Sequence, residues 1–138
     1  MIKWNVKDGG PESPVTFFGI EIKWLFSIGF IRFAEGRREA YHTHAFHALT
    51  WFLCGNLFED RICEVTGFST STMLSPYTVW PIPKVTTRDN LHRVLAKETS
   101  WCFTIRGPWS RVWKEYNKKN GKFTVFTHGR KVLGTYQV

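Results

Sequence analysis

His42-Thr43-His44-Ala45-Phe46-His47-Ala48-Leu49-Thr50-Trp51-Phe52-Leu53-Cys54-Gly55 is the stretch whose reading decides the fold. Its aromatic and β-branched residues suit a pleated strand. Side chains alternate across a strand, so His42, His44, Phe46, Ala48, Thr50 and Phe52 share one face. His47, Leu49, Trp51 and Leu53 share the other. Two imidazoles on one face, two residues apart, can grip a single metal ion. Apolar residues on both faces predict a strand covered on both sides, as in a double-layered jelly roll.

Outward from this stretch, short strand-like runs alternate with turn signals: 2–6, 15–26, 28–34, 42–54, 57–64, 70–75, 78–82, 91–97, 100–106, 111–117 and 122–127. Gly55-Asn56 predicts a turn joining the histidine strand to Leu57-Phe58-Glu59-Asp60-Arg61-Ile62. Asn120-Gly121 predicts a tight hairpin between runs 111–117 and 122–127, because both residues tolerate positive φ. No repeat or linker divides the chain, and its 138 residues suit one domain spanning 1–138. Many short strands and no convincing helix predict an all-β sandwich or barrel.

A hydrophobic share of 43 % with 12 Phe and 7 Trp supplies a core without disulfide staples. The three cysteines, Cys54, Cys63 and Cys102, form no C-x-x-C pair. Their odd number argues against a disulfide framework and a thiolate zinc site. Cys54 and Cys102 read as inert core residues. The N-terminus lacks a signal peptide's apolar run, and no span reaches transmembrane length. A reducing cytoplasm is the expected compartment, with no membrane partner. The net charge is +8, of which residues 106–138 carry +7: eight basic residues stand against Glu115 alone. Such a field favours phosphates, nucleotides, nucleic acid or an acidic protein. Arg111, Lys114, Lys118, Lys119 and Lys122 are its candidate anion contacts, interleaved with aromatics that could stack bases. A lysine-rich solvated hairpin explains the same pattern.

Gly36, five residues, His42-Thr43-His44 and a closing Gly55 resemble the first motif of the cupin superfamily, with Ala48 in its glutamate position. Of the second cupin motif only His92 survives. The order His92-Arg93-Val94, then Trp101 to Gly107-Pro108, then Arg111-Val112-Trp113, is similar to small cupin-like proteins of bacteriophages and bacteria. This resemblance covers roughly residues 28–117. It implies a double-stranded β-helix with His42, His44 and His92 as metal ligands. It implies a divalent ion, with iron, zinc, manganese and nickel all open, and a host cytoplasm if the chain is phage-encoded.

A three-histidine site is neutral, so its ion keeps its full charge and draws anions. The leading expectation is a metal-dependent enzyme, of oxygenase or isomerase type, acting on a small anionic compound. A binding module sequestering a nucleotide or small anion is the second, and a basic adaptor for nucleic acid or a host protein the third. A homodimer stays open. Arg32, among the apolar Ile28, Phe30 and Ala34, needs an anion for its guanidinium and is the candidate substrate contact. A pair with Glu21 or Glu35 would satisfy it equally. His47 and Arg93 have the wrong parity to join the metal set, and His128 is a weaker candidate still.

Overall fold

Alternating apolar and polar side chains carry the chain into antiparallel strands. The structure, a computed structural model, describes residues 1–8, 13–22, 24–37, 41–63, 66, 68–74, 82–127 and 131–137. Among these are twelve strands and no helix. They are β1 (Ile2–Lys7), β2 (Val15–Ile22), β3 (Phe26–Phe33), β4 (Gly36–Arg37), β5 (Tyr41–His42) and β6 (Ala48–Ile62). Then come β7 (Ser69–Leu74), β8 (Lys84–Thr86), β9 (His92–Arg106), β10 (Trp113–Asn117), β11 (Lys122–Thr127) and β12 (Lys131–Gln137).

The two 15-residue strands organise everything else. β6 and β9 pair antiparallel from Ala48↔Arg106 to Arg61↔His92. The Ser100–Arg106 half of β9 carries β3, and beyond it β2 and β1. Its His92–Ala96 half carries β4 and β5, and beyond β5 the β10–β11–β12 meander. β8 and β7 flank the opposite edge of β6. Two half-sheets thus share two long strands, and their inner faces enclose one cavity, with Phe17 and Ile31 on one wall and Trp113 and Glu115 on the other. The fold is the expected all-β jelly roll. Its main core is Phe52, Leu57, Leu74, Ala96 and Cys102, with Phe33 and Val94 against it.

Gly55 does not form the expected turn. It sits inside β6 at φ 107°, where the β6–β9 register shifts between Phe52 and Leu57. Residues 52 to 57 of β6 face 102 to 96 of β9, one residue more, so the parity of β6 changes while that of β9 does not. Ala48 and Phe52 are buried before the bulge, and Leu57 and Glu59 after it. The runs expected at 91–97 and 100–106 likewise merge into β9. β12 had no sequence signal, and most of the run expected at 78–82 lies outside the described residues. The β10–β11 hairpin has a four-residue loop, Lys118 to Gly121, rather than a two-residue turn, and only Gly121 takes positive φ, at 69°.

Two further expectations are corrected. The outer face of β6 is not covered: Leu49 and Leu53 are 37 % and 43 % exposed. Cys54 is exposed rather than core, whereas Cys102 is fully buried and its thiol is pushed up to about 12, by burial first and by Cys54 second.

A Cβ at Gly55 would lie 2.5 Å from the Ser100 Cα and 2.4 Å from its Cβ, at a φ that L residues avoid. Gly55→Ala is therefore expected to cost roughly 2–4 kcal/mol, from strain and overpacking together. Urea unfolding of wild type and variant measures it, and a change below the error of the fit would contradict the bulge.

Candidate metal centre

His42 ends β5, where it pairs with His92 at the start of β9. His44 lies two residues on, in a segment that is not strand. The alternation expected through 42–54 therefore begins only at Ala48. Backbone bonds pin the segment instead: Thr43 N–H donates to the Lys114 carbonyl at 2.9 Å, and His44 N–H donates to that of Arg88 at 3.1 Å. The Thr43 hydroxyl also accepts from Lys114 N–H at 3.0 Å.

Pinned this way, the three imidazoles converge, with one ligand nitrogen from each within 4.8 Å of the others. Ring centroids lie 5.1 Å apart for His42 and His44, 5.0 Å for His42 and His92, and 4.7 Å for His44 and His92. His44 Nε2 and His92 Nε2 are 2.8 Å apart, a hydrogen bond in which one ring donates. Burial holds His44 well below its ordinary pKa, with His92, Arg106 and Lys84 acting in the same direction and Glu59 opposing them. The ring is thus neutral near pH 7, the form that donates a lone pair.

Behind His92 stands a buried carboxylate that the sequence reading missed. His92 Nδ1–H donates to Glu59 Oε2. Lys84 Nζ donates to the same oxygen at 2.9 Å, and Asn90 Nδ2 at 3.5 Å. A carboxylate on one ring nitrogen fixes the tautomer and leaves the other nitrogen to face the cavity. Burial alone would raise the Glu59 carboxyl, but the hydrogen bonds and charges of His92 and Lys84 outweigh it and bring it down to about 2. The bulge is why Glu59 is hidden in the sequence: Gly55 signals a turn there, whereas the register change carries residue 59 to the inner face.

The cavity beside the cluster has a volume of about 710 Å³. Phe46 sits against His44 with centroids 5.6 Å apart and packs on Trp109, closing one side. Arg106, 4 % exposed, lines the cavity with its guanidinium stacked on Phe17 and Phe46 at 4.8 and 4.5 Å. Its Nη2 donates to Asp8, while its buried Nε–H has no partner among the described residues. Cys102, Thr104 and Arg106 alternate inward along β9, a parity visible in the sequence but not exploited there.

Solved structures of similar shape exist, although no family model and no curated protein matches the chain. A cupin superfamily protein of Desulfitobacterium hafniense is 14 % identical with TM-score 0.52, the match covering 78 % of this chain and 98 % of that one. The fold is a cupin jelly roll. A cupin sugar phosphate isomerase of Silicibacter pomeroyi is 8 % identical with TM-score 0.53, covering 90 % and 76 %. A variant of Bacillus subtilis oxalate decarboxylase is 12 % identical with TM-score 0.53 over 71 % of this chain, which spans only 26 % of that one.

Other expected contacts lie elsewhere in the cupin barrel. Arg32 is on the outer face, its guanidinium 5.5 Å from the Phe18 ring and 5.9 Å from that of Trp101, and it does not line the cavity. The structure thus does not bring Arg32 together with His42, His44 and His92. The alternation was right, but the apolar face it shares with Phe30 is the outer one. Arg93 turns away from the cluster to Asp60 at 3.2 Å, and His47 accepts Arg88 N–H at 3.2 Å. Lys114 packs on Phe123 at 5.0 Å and reaches the Tyr136 hydroxyl at 3.4 Å. Arg111, Lys118, Lys119 and Lys122 are exposed, on a loop and around the hairpin tip. His128 lies outside the described residues.

Glu59 has a folded pKa below its unfolded one, so its stabilising contribution is complete above about pH 4.5 and is lost as pH falls toward about 2. In chelator-treated protein, the stability difference between wild type and Glu59→Gln is expected to shrink by about 3 kcal/mol over that window. Urea titrations at stepped pH read the difference directly. Parallel pH profiles would contradict the pairing.

Proposed function

We propose that this cupin holds a divalent metal ion through His42, His44 and His92 and takes a small anionic compound in its barrel, with Arg106 as the anion's partner. The observation that carries the reading is the convergence of three imidazoles, from two distant segments, on the wall of one cavity. The donor set fits a divalent ion. It offers three nitrogen ligands, a neutral His44 and a carboxylate holding the rear nitrogen of His92. With no carboxylate among the three, the ion keeps its full charge toward an anion. When bound, it would supply Lewis-acid polarisation of a ligand oxygen.

The chain's own residues supply the rest. Glu59 accepts and keeps the proton at His92 Nδ1, and Lys84 holds Glu59 in place. Arg106 presents a buried, uncommitted Nε–H to an anion. Phe46 and Trp109 exclude water on that side. Two structures of similar shape are named for enzymes of anions, a sugar phosphate isomerase and an oxalate decarboxylase. Arg106, rather than that likeness, supports an anion here. Isomerase or oxygenase turnover is the activity this arrangement suits, and a loss of turnover in His42→Ala with the fold intact would distinguish it from sequestration.

Chelation followed by reconstitution with iron, zinc, manganese or nickel is expected to give about one ion per chain by elemental analysis. His44→Ala and His92→Ala should bring it near zero, and Glu59→Gln should weaken the metal by about 10–100-fold. No uptake by wild type would overturn the metal reading. Arg106→Lys keeps the charge but loses the planar fork, and should weaken oxalate or phosphate binding about tenfold at unchanged metal content. Unchanged calorimetric affinity would remove Arg106 from the site.

A further inference from the structure

The outer face of the β1-β2-β3-β9-β6-β8 half-sheet carries two uninterrupted apolar rungs. Strand registers align Ile2, Ile20, Ile28, Ile105, Leu49 and Val85 across all six strands. Two residues along, Phe18, Phe30, Phe103 and Trp51 align across four. Residues directly opposite in antiparallel pairs point the same way, so these ten side chains form one surface. The rings touch along it: Phe30 and Phe103 centroids are 5.5 Å apart, and Trp51 and Phe103 are 5.8 Å apart. Trp4 extends the aromatic rung, with its ring 5.2 Å from Phe18. The surface is open to solvent, with Ile2 77 %, Trp4 72 %, Val85 62 % and Phe30 46 % exposed.

We infer that a second copy of this chain covers this face, giving a two-fold dimer joined through outer sheet faces. Area is the first argument. Six strands about 4.8 Å apart and three rows about 6.6 Å apart, the two rungs and the row beyond them, with side chains overhanging, span roughly 30 by 20 Å. Corrugation raises that plan area of about 600 Å² toward the roughly 800 Å² each partner contributes to a stable interface. It also reaches the upper limit of apolar patches on monomers, about 300–600 Å².

Charge is the second argument. On a chain of net charge +8, the two rungs carry no charge, and the row beyond them carries only Arg32, already stacked on Phe18 and Trp101, and Lys7 at the β1 edge. Nucleic acid or an acidic protein would find almost no cation here. Two basic chains, by contrast, meet with least repulsion on a face that carries almost no charge. An isologous contact asks only that a face complement itself, which apolar sheets do by stacking about 10 Å apart. The dimer does not depend on the metal reading, because these side chains point away from the cavity.

Sedimentation equilibrium of the full chain at micromolar concentration tests it. The expected mass is twice the 16.2 kDa of the chain. Phe30→Lys and Val85→Lys each place a charge on a side chain already exposed, so the fold should survive by circular dichroism. Each should raise the dimer dissociation constant about 30-fold or more. Leu133→Lys, on the far strand β12, should leave it unchanged. A monomeric wild type overturns the inference, as does a dimer that resists both face variants or yields to Leu133→Lys. A monomer that instead co-sediments with phosphatidylcholine vesicles through Phe30 assigns the face to lipid.

Discussion

The register change at Gly55 is the constraint on which the cupin barrel depends. β6 and β9 are the two strands shared by both half-sheets, and each must keep one side turned inward at both of its ends. β9 does this with even-numbered residues, His92 to Ala96 and Ser100 to Arg106. β6 cannot, because its inward residues are Ala48 and Phe52 at one end and Leu57 and Glu59 at the other. One misaligned residue near Gly55 reconciles the two patterns. A glycine suits that place, since the backbone adopts φ 107° and the neighbouring Ser100 leaves no room for a Cβ. His92 meets Glu59 because of this shift, and so the rear support of the histidine cluster is a consequence of backbone geometry far along the ladder.

Burying charges inside a barrel costs stability unless each finds a partner. Here Glu59 has Lys84 and His92, and Arg106 has Asp8. His44 meets the same constraint by staying neutral, since burial and the nearby cations oppose its protonation. The inner wall therefore carries ionic pairs that a purely structural core would replace with apolar side chains of similar volume. Two of these charges, Glu59 and Lys84, stand directly behind the imidazole of His92 rather than scattered along the wall.

Much of this was legible in the sequence, and the reasons for the rest are physical. His42 and His44 were visible as a pair because two-residue spacing survives even where the strand ends, held by Thr43 and its bonds to Lys114. His92 was visible through motif order. The inward face of β9 was legible in two separate runs, 91–97 and 100–106, with Lys97 to Thr99 exposed between its buried ends, and Arg106 at its end was passed over for Arg32. Apolar neighbours mark a face without saying whether it points inward, and Phe30 and Ile28 face outward. Glu59 was illegible because Gly55 looked like a turn, and a turn erases the parity needed to place it. β12 escaped because its seven residues are all exposed and carry no burial pattern.

The two faces of the shared strands also depend on each other. Cavity residues on both shared strands have outer-rung neighbours one position away: Thr104 lies between Phe103 and Ile105 on β9, and Ala48 beside Leu49 on β6. A slip of one residue would turn Ile105 inward and Arg106 out, exchanging wall and surface. Slippage is penalised at the inner wall, since Arg106 and Glu59 lose Asp8, Lys84 and His92 if they leave it. Register shifts within the β6–β9 ladder are confined to residues 52–57, where Gly55 can absorb them. The strands that place the histidines are held to register by the charged partners they enclose.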